Sequence, residues 1–517
     1  MELLINGFLN ILDIKVIFIL FLAGAIGIIL GALPGLTATM GVALLLPVTF
    51  GMEPVTGILL LVGVYFGAIY GGSITAILLR TPGTPSSAAT ALDGYEMTKK
   101  GQAYKALTIS TLSSAIGGVI SVIILILVAP QLARFALKFS APESFALALF
   151  GLAIISSISG KSLLKGLIAG VAGLLIATIG IDPIGGFPRF TLGFSNLMSG
   201  VNYIPVLIGL FAASEAFRSM EDIFKGNLKF NAIEKVKLKW YEFKRLITVI
   251  LRSTGIGTFI GMIPGAGGDI ASFVAYNEAK RFSKKPDEFG KGNPEGVSAS
   301  EAANNACTGG AMIPLLTLGI PGDAVTAVML GALMVQGLQP GPLLFSNHGD
   351  IVYTLFIGMM LANLLILFYG LLGIRLFVRI LTIPKVVLTP IILVLCIVGS
   401  YSLGNNFFDV WVMLVAGVIG YFMHRYEFPV SPVILALILG PMLEANLRRS
   451  LVLSNGDIGI LFTRPISLTL IVLAILTLFY PLILKVIKGF KGNSQLENSG
   501  LNQDLDEDDN KKDTVAK

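Results

Sequence analysis

The stretch from Glu301 to Gly331 reads EAANNACTGGAMIPLLTLGIPGDAVTAVMLG, and the rest of the chain is organised around it. It is apolar enough for a membrane, yet it carries Asn304, Asn305 and Asp323 and is broken at Pro321-Gly322. A lipid-facing helix would not tolerate this break, because bilayer hydrocarbon offers no water to the backbone groups that it frees. The stretch therefore predicts an interrupted helix that lines a cavity within the protein.

A second stretch, Gly71 to Leu92, reads GGSITAILLRTPGTPSSAATAL and has the same plan. Gly71 stands 11 positions before Pro82 (82 − 71), and Gly310 stands 11 positions before Pro321 (321 − 310). Each stretch also follows an earlier G-x-x-x-G-x-x-P-G pattern, which ends at Pro34-Gly35 in the first case and at Pro264-Gly265 in the second. The displacements are 230 positions (264 − 34) and 239 positions (321 − 82), which predicts an internal duplication with a short insertion.

The composition is that of a membrane protein. Of 517 residues, 54% are hydrophobic and 13% are charged, whereas soluble domains carry about 25% charged residues. Two cysteines and two histidines are too few for a disulfide framework or a metal cluster. The apolar run from Ile14 lacks a basic leader and a cleavage site, so we interpret it as a retained span and not as a signal peptide.

These features predict an all-α polytopic membrane protein with about 12 or more transmembrane segments, since a spanning helix needs about 20 mostly apolar residues. The candidate spans are roughly 14–33, 54–70, 107–130, 143–158, 163–180, 203–217, 246–263, 351–373, 386–404, 410–423, 430–444 and 467–487.

The positions of lysine and arginine predict that the two copies cross the membrane in opposite senses. Short cytoplasmic loops carry an excess of these residues. The stretch 93–105 after the first copy is basic, and so is the long loop 221–245, whereas 339–350 after the second copy contains neither residue. Equivalent stretches therefore face opposite sides, which predicts an inverted-topology repeat with interrupted or re-entrant helices.

The predicted organisation follows from this repeat. The first copy covers 1–220, with a motif unit at about 14–105 and then about four spans, and a basic cytoplasmic loop covers 221–245. The second copy covers 246–465 in the opposite orientation, with a motif unit at about 250–350 and then about four spans. A final span at 466–490 and a polar, disordered tail at 491–517 complete the chain.

Interrupted helices at matching positions of an inverted repeat indicate the binding site of a secondary transporter. A half-helix that begins inside the membrane points free N–H groups at an anion, and hydroxyl groups after Pro82-Gly83 add further donors suited to a carboxylate. Arg80 is a candidate partner for the same carboxylate; the alternative is an arginine that reaches the cytoplasmic interface near Lys99 and Lys100. The candidate substrate-binding residues are Pro34, Gly35, Thr37, Arg80, Pro82, Gly83, Thr84, Ser86, Ser87, Pro264, Gly265, Pro321 and Gly322.

The second copy supplies the oxygen atoms that a sodium ion would coordinate. The candidate cation-binding residues are Asp269, Asn304, Asn305, Thr308, Asp323 and Thr326. An acidic residue at membrane depth is functional by default. The alternative is structural: the asparagines cross-link packed helices, and Asp323 caps the helix that follows the break. No cofactor is expected apart from a coupling cation, Na+ or H+, and Na+ is the only metal considered.

Four blocks of sequence resemble the TctA family, the large membrane subunit of the tripartite tricarboxylate transporters. They are GALPGLTATMGVALLLP at Gly31–Pro47, GGSITAILLRTPGTPSSAATALDGYEMTKKGQA at Gly71–Ala103, GMIPGAGGDIASFVAYNEAKR at Gly261–Arg281 and EGVSASEAANNACTGGAMIPLLTLGIPGDAVTAVMLGAL at Glu295–Leu333. Two positions depart from the family pattern, because Arg80 stands where a small polar residue is usual and Asp323 where a small residue is usual. These added charges leave the identity of the carboxylate open.

The resemblance implies a carrier that takes up a di- or tricarboxylate across the bacterial inner membrane, driven by a cation gradient. It also implies two partners: a small membrane subunit similar to TctB and an extracytoplasmic solute-binding protein similar to TctC. No nucleic-acid partner is expected, since the net charge of +6 comes mostly from short loops.

Other classes of function fit the residues less well. A carboxylate exporter or a channel of the same fold is the main alternative. An intramembrane aspartyl protease would use Asp269 and Asp323, but Ala266 replaces the first glycine of the expected G-x-G-D surround. No P-loop accompanies the glycine-rich runs, so ATP hydrolysis is not expected. We therefore predict a transporter and not an enzyme.

Overall fold

The computed structural model describes residues 2–33, 36–158, 162–182, 186–222, 238–373 and 385–478. Within these ranges the chain is helical apart from turns, short 3-10 segments and one antiparallel ribbon, in which Gly180–Ile181 pairs with Pro188–Arg189. The predicted all-α class is confirmed for this part of the chain. Pro34-Gly35, most of the basic loop 221–245 and the tail 491–517 lie outside the described residues.

The first half contains ten α-helices in the described ranges. They are α1 (Glu2–Ile11), α2 (Ile14–Ala32), α3 (Ala38–Leu45), α4 (Pro54–Leu79), α5 (Ala88–Lys99), α6 (Ala103–Ala136), α7 (Ala141–Ile158), α8 (Leu163–Ala177), α9 (Tyr203–Leu207) and α10 (Ser214–Asp222). A π-helical segment, Ile208–Ala213, joins the last two, so the span expected at 203–217 lies within one continuous helical run that contains a π-helical turn.

The second half contains eleven α-helices in the described ranges. Its helices are α11 (Trp240–Met262), α12 (Gly267–Phe282), α13 (Pro294–Leu318), α14 (Ala324–Val335), α15 (Pro342–Asn347), α16 (Gly349–Leu372), α17 (Lys385–Gly404), α18 (Phe407–Arg425), α19 (Ser431–Leu453), α20 (Ile460–Thr463) and α21 (Pro465–Leu478). The helix α21 is the described part of the final span expected at 466–490.

In the described part of the chain, six helices are long and apolar enough to cross a membrane: α2, α4, α6, α16, α18 and α19. The chain is therefore a polytopic membrane protein. The other candidate spans in the described ranges are shorter or more polar, so the expected total of about 12 stays a prediction. One of the polar helices is α13, which is almost wholly buried although it carries two glutamates and two asparagines.

Close glycine contacts join α2 to α4 and α11 to α13. A β-carbon on Gly27 would collide with the carbonyl oxygen of Val64, and one on Gly257 would collide with that of Ala303. The same relation holds for Gly31 against Ala68 and for Gly261 against Cys307. Small residues at this spacing allow helix backbones to approach closely inside a membrane. Corresponding residues of these contacts are separated by the displacements found in the sequence: Gly27 and Gly257 by 230 positions (257 − 27), and Val64 and Ala303 by 239 positions (303 − 64).

Two long helices end at the Pro-Gly breaks in the same way. Arg80, which follows α4, has a left-handed backbone conformation (φ 59°), and Gly319, which follows α13, shares it (φ 70°). A left-handed residue is a common helix terminator, and glycine adopts it without the strain that a β-carbon adds. For arginine this conformation costs about 1–2 kcal/mol. The two terminators differ by 239 positions (319 − 80).

Hydrogen bonds near the two ends of α4 show where the segments after α5 and after α14 lie. Near its start, the side chain of Gln336, just after α14, donates to the carbonyl of Thr49 (2.8 Å). Near its end, Thr98 Oγ1, in the last turn of α5, donates to the carbonyl of Ile77 (2.8 Å). A helix of 26 residues is about 39 Å long. The chain after α5 and the chain after α14 therefore lie at opposite ends of α4.

Candidate functional site

Three hydroxyl side chains follow the first break and are buried. Thr84, Ser86 and Ser87 lie in or next to a single 3-10 turn, Pro85–Ser87. Ser87 Oγ donates to the carbonyl of Gly72 (3.0 Å) and to that of Thr84 (2.8 Å), which folds the turn back against α4. Ser86 Oγ has one partner among the described residues, Thr84 Oγ1 at 3.1 Å. Ser87 thus fixes the turn, and among the described residues the hydroxyls of Thr84 and Ser86 bond only within this turn.

The start of α12 meets this turn. A β-carbon placed on Gly268 would lie 2.7 Å from Oδ1 of Asn304 and 3.3 Å from Cβ of Ser86. The break before α12 is itself held by the N–H of Gly265, which donates to the carbonyl of Gly322 (2.7 Å). Residues from both copies, Ser86 from the first and Asn304 from the second, therefore converge on the first turn of α12, and glycine at 268 keeps that place open.

Asn304 is fully buried, and in the described part of the chain neither Oδ1 nor Nδ2 of its side chain has a hydrogen-bond partner. More than about 90% of buried polar groups are paired in folded proteins, because an unpaired one costs about 1–3 kcal/mol. The amide of Asn304 therefore offers one free acceptor and one free donor inside the protein. This combination fits a cation on the oxygen, a carboxylate on the nitrogen, or both.

Asn305 and Thr308 are also buried on α13, and their hydrogen bonds are partly local. Asn305 Nδ2 donates to the carbonyl of Glu301 (3.2 Å), and Thr308 Oγ1 donates to the carbonyl of Asn305 (2.7 Å). The amide oxygen of Asn305 has no partner among the described residues. Asn305 thus keeps one free acceptor, while Thr308 uses its only proton within its own helix.

Asp323 has the hydrogen bonds of a helix cap. Its Oδ1 accepts from the backbone N–H of Thr326 (2.7 Å), and Thr326 Oγ1 accepts from the N–H of Asp323 (2.8 Å), which is a capping box at the start of α14. Its Oδ2 accepts from the hydroxyl of Tyr65 on α4 (2.7 Å). This is the structural alternative stated for Asp323 above, and Thr326 takes part in the same cap.

The remaining predicted residues take other positions. Arg80 is exposed, and its guanidinium carbon lies 6.0 Å from the ring centroid of Tyr95, while Lys99 Nζ lies 5.0 Å from the same centroid. This arrangement is compatible with the interface alternative, and the substrate role of Arg80 stays a prediction. Thr37 caps α3, since its Oγ1 accepts from the N–H of Met40 (3.2 Å). Asp269 is exposed in the first turn of α12, where a β-carbon on Gly267 would lie 2.7 Å from its Oδ1.

The glycines of the Pro-Gly dipeptides lie in close contact with the backbone of neighbouring helices. Gly83 donates its N–H to the carbonyl of Gly72 (3.2 Å), and a β-carbon on it would collide with the carbonyl of Gly31. A β-carbon on Gly322 would lie 2.7 Å from the carbonyl oxygen of Gly261. The prolines that precede these glycines, Pro82 and Pro321, are half-buried and buried. Pro264, before Gly265, is half-buried.

The displacement of 239 positions pairs Asn304 with Tyr65 and Asp323 with Thr84. Tyr65 of the first copy and Asp323 of the second copy are joined by a hydrogen bond of 2.7 Å. At the equivalent positions, Asn304 of the second copy has no side-chain partner among the described residues, and Thr84 of the first copy bonds only the hydroxyls of its own turn. One of the two equivalent pairs is therefore closed by a hydrogen bond, whereas the other contains the unpaired amide of Asn304.

Sequence reasoning did not include Glu301 among the candidate residues. It is fully buried, and its carboxylate accepts hydrogen bonds from Thr90 Oγ1 (2.5 Å) and Ser114 Oγ (3.0 Å). The available signal was an acidic residue at the start of an apolar stretch, one turn before Asn304 and Asn305. An ionisable residue in such a place is a functional candidate by default.

Comparison with known proteins gives the family context. A family model described as "Tripartite tricarboxylate transporter TctA family" matches residues 17–435. The chain is similar to the "Uncharacterized 52.8 kDa protein in TAR-I ttuC' 3'region" of Agrobacterium vitis, with 41% identity over 451 residues, 87% of this chain and 90% of that protein. It is also similar to the "Uncharacterized protein in TAR-II ttuC' 3'region" of the same organism, with 40% identity over 227 residues, 44% of this chain and 94% of that protein. No solved structure matches the chain.

Proposed function

Because the chain belongs to the TctA family of membrane subunits of tripartite tricarboxylate transporters, we propose that it takes up a di- or tricarboxylate across the bacterial cytoplasmic membrane. Uptake is coupled to a cation gradient. The chain works with a small membrane subunit and receives its substrate from an extracytoplasmic binding protein.

The observation that carries this proposal is the unpaired amide of Asn304 where both copies meet. It lies next to the hydroxyl-bearing turn of the first copy and the first turn of α12 in the second. A helix N-terminus carries free N–H groups and a partial positive charge, so α12 favours a negatively charged group at this point. The substrate carboxylate is expected to accept from Ser86, from Asn304 Nδ2 and from the first N–H groups of α12.

A cation in the same place explains the coupling. Asp269, in the first turn of α12, adds a negative charge that repels a second carboxylate. A cation held by Asp269 and by the amide oxygen of Asn304 removes this repulsion, so it has to bind before or with the substrate. Carboxylate and amide oxygens are suitable ligands for such a hard cation.

The pairing of contacts supports an inverted repeat as the frame of this site. Glycines in α2 and α11 meet α4 and α13 at the displacements found in the sequence. The segments after α5 and α14 lie at opposite ends of α4. Transporters of this architecture bind substrate near the bilayer midplane between the repeats and expose it alternately to the two sides. The interrupted units are proposed to move as a body against the remaining helices.

Uptake of labelled carboxylates into proteoliposomes tests the proposal. The full chain, its small membrane partner and the binding protein are reconstituted, and a panel of mono-, di- and tricarboxylates is supplied with and without a sodium gradient. We expect saturable uptake of a di- or tricarboxylate that requires both the gradient and the binding protein. Uptake that does not saturate and needs neither would identify a channel, and net efflux under the same gradient would identify an exporter.

A further inference from the structure

We propose that Glu301 is the anionic ligand of a second sodium site, separate from the cation position at Asn304 and Asp269. The site is a buried cage of oxygen atoms formed by α5, α6 and α13. The inference deepens the proposed function, because it names a further cation that accompanies the substrate.

Hydroxyl groups donate the hydrogen bonds to the carboxylate of Glu301. Glu301 is fully buried and accepts only from hydroxyl groups, those of Thr90 (2.5 Å) and Ser114 (3.0 Å), with no lysine or arginine paired to it among the described residues. An ionised carboxylate that is buried without a counter-charge is strongly disfavoured. Either a proton or a bound cation therefore neutralises Glu301, because the described side chains supply no positive charge to it.

Asp93 is a buried carboxylate of the same protein whose charge is stabilised by backbone N–H donors. Its Oδ1 accepts from the backbone N–H groups of Gly292 and Asn293 (both 2.8 Å), and its Oδ2 accepts from the hydroxyl of Tyr276 (2.9 Å). Backbone N–H groups stabilise the negative charge but cannot coordinate a cation. The hydroxyls around Glu301 can rotate and present their oxygen lone pairs instead. The two buried carboxylates thus have different chemistry.

A buried acceptor without a partner among the described residues, the amide oxygen of Asn305, lies one helical turn after Glu301. The amide oxygen of Asn305 has no partner among the described residues, and its amide nitrogen is tied to the carbonyl of Glu301 (3.2 Å). Ser300 Oγ adds another oxygen, 2.9 Å from Thr90 Oγ1. The carboxylate and hydroxyl oxygens of the cage, and the amide oxygen of Asn305 one turn along α13, are ligands of the type that hard cations take.

The charge of the cage selects a monovalent ion. One carboxylate balances one positive charge, whereas a divalent ion would leave an unpaired charge buried in the protein. The charge of the proposed substrate favours a further cation, since a di- or tricarboxylate carries more negative charge than a single monovalent cation can offset. A second sodium site meets this requirement.

Equilibrium binding of radioactive sodium to the full-length chain in nanodiscs tests the proposal without substrate or partner proteins. We expect Glu301→Gln to bind one ion fewer per chain than the unmodified protein. The matched control is Glu96→Gln, which removes the same charge from a residue paired with Lys99 at the surface (2.7 Å) and should leave the stoichiometry unchanged. Equal sodium binding by Glu301→Gln and the unmodified chain would overturn the proposal, as would a lack of sodium binding by the unmodified chain.

A second variant keeps the test decisive if Glu301→Gln does not fold. Thr90→Ala retains the carboxylate and removes one hydroxyl, so we expect an affinity loss of about tenfold at one site, with full stoichiometry at saturating sodium. An unchanged sodium affinity in Thr90→Ala would contradict the assignment. Because the assay contains no carboxylate, failure of carboxylate uptake in proteoliposomes would disprove the proposed function without affecting this result.

Discussion

At the scale of single residues, the unpaired amide of Asn304 leads us to expect opposite effects of Asn304→Ala on stability and on transport. Asn304→Ala removes a buried polar group that has no partner in the described chain, so the free energy of unfolding should stay level or rise slightly. Cation-dependent uptake should fall by about 10- to 100-fold, since a hydrogen bond to a charged ligand contributes about 1.5–3 kcal/mol. Proteoliposome uptake and thermal unfolding of the same preparation measure both effects.

Asn363 on α16 is the matched control for this experiment. It is also fully buried, its Oδ1 also lacks a partner among the described residues, and its Nδ2 donates to the carbonyl of Met359 (3.0 Å). It lies against Gly118 and not at the breaks. Asn363→Ala should therefore keep its uptake within a few-fold of normal. If both variants lose transport equally, the loss reports helix packing and not the site.

The pair of Tyr65 and Asp323 supports a second prediction at this scale. Tyr65→Phe leaves Oδ2 of Asp323 without its donor, so we expect the protein to lose about 1–3 kcal/mol of stability. Tyr203→Phe is the comparison, because its hydroxyl makes a longer bond (3.3 Å) to the neutral carbonyl of Gly331 and its loss should cost about 0.5–1.5 kcal/mol. Denaturation in detergent gives both values; a larger loss for Tyr203→Phe would mean that the cap at α14 does not depend on Tyr65.

At the scale of helices, the start of α12 can be filled without changing any polar residue. Gly268→Ala adds a methyl group 2.7 Å from Oδ1 of Asn304. We expect uptake to fall by about tenfold or more with the fold retained, because the methyl group occupies the place of the ligand. Gly255→Ala on α11 is the control, since nothing lies within 4 Å of the added atom. It should leave transport intact and stabilise the helix by up to about 1 kcal/mol. Normal transport by Gly268→Ala would show that substrate binds elsewhere.

The interruptions at Pro82-Gly83 and Pro321-Gly322 were predictable because proline and glycine act locally on the backbone. The left-handed conformation of Arg80 was harder to predict from the sequence, since nothing about an arginine indicates that it ends a helix with a positive φ. The partners of Asp323 and Glu301 were also hidden. Tyr65 precedes Asp323 by 258 positions, and Thr90 precedes Glu301 by 211, so only the packing of distant helices creates these contacts. Local patterns therefore located the breaks, while the choice of ligands needed the three-dimensional arrangement.

At the scale of the whole molecule, salt bridges tie the last part of the first copy to the last long helix of the second. Arg189, in the short ribbon, pairs with Glu444 on α19 through both terminal guanidinium nitrogens (2.7 and 3.2 Å). Arg448, one turn further along α19, pairs with Asp182 (3.0 Å). Such paired contacts hold the two copies together away from the breaks. In the proposed mechanism, these contacts belong to the frame against which the interrupted helices move.

The orientation of the two copies gives the last prediction. Lys99, at the end of α5, and Ser346, in α15, are both exposed, and each follows the corresponding break of its own copy. The bonds from Thr98 to Ile77 and from Gln336 to Thr49 lie at opposite ends of α4, which at about 39 Å exceeds a hydrocarbon core of about 30 Å. With Lys99 on the cytoplasmic side, as the basic residues around it indicate, Ser346 faces outward.

Cysteine labelling in intact cells tests this orientation. A membrane-impermeant maleimide should react with Ser346→Cys from outside, and with Lys99→Cys only after the membrane is opened. The unmodified chain is the background control, because its own thiols, Cys307 and Cys396, are both buried. If both introduced thiols react from the same side, the two copies have the same orientation. The convergence of opposed breaks around Asn304 would then not follow from an inverted repeat, and alternating access between the copies would lose its structural basis.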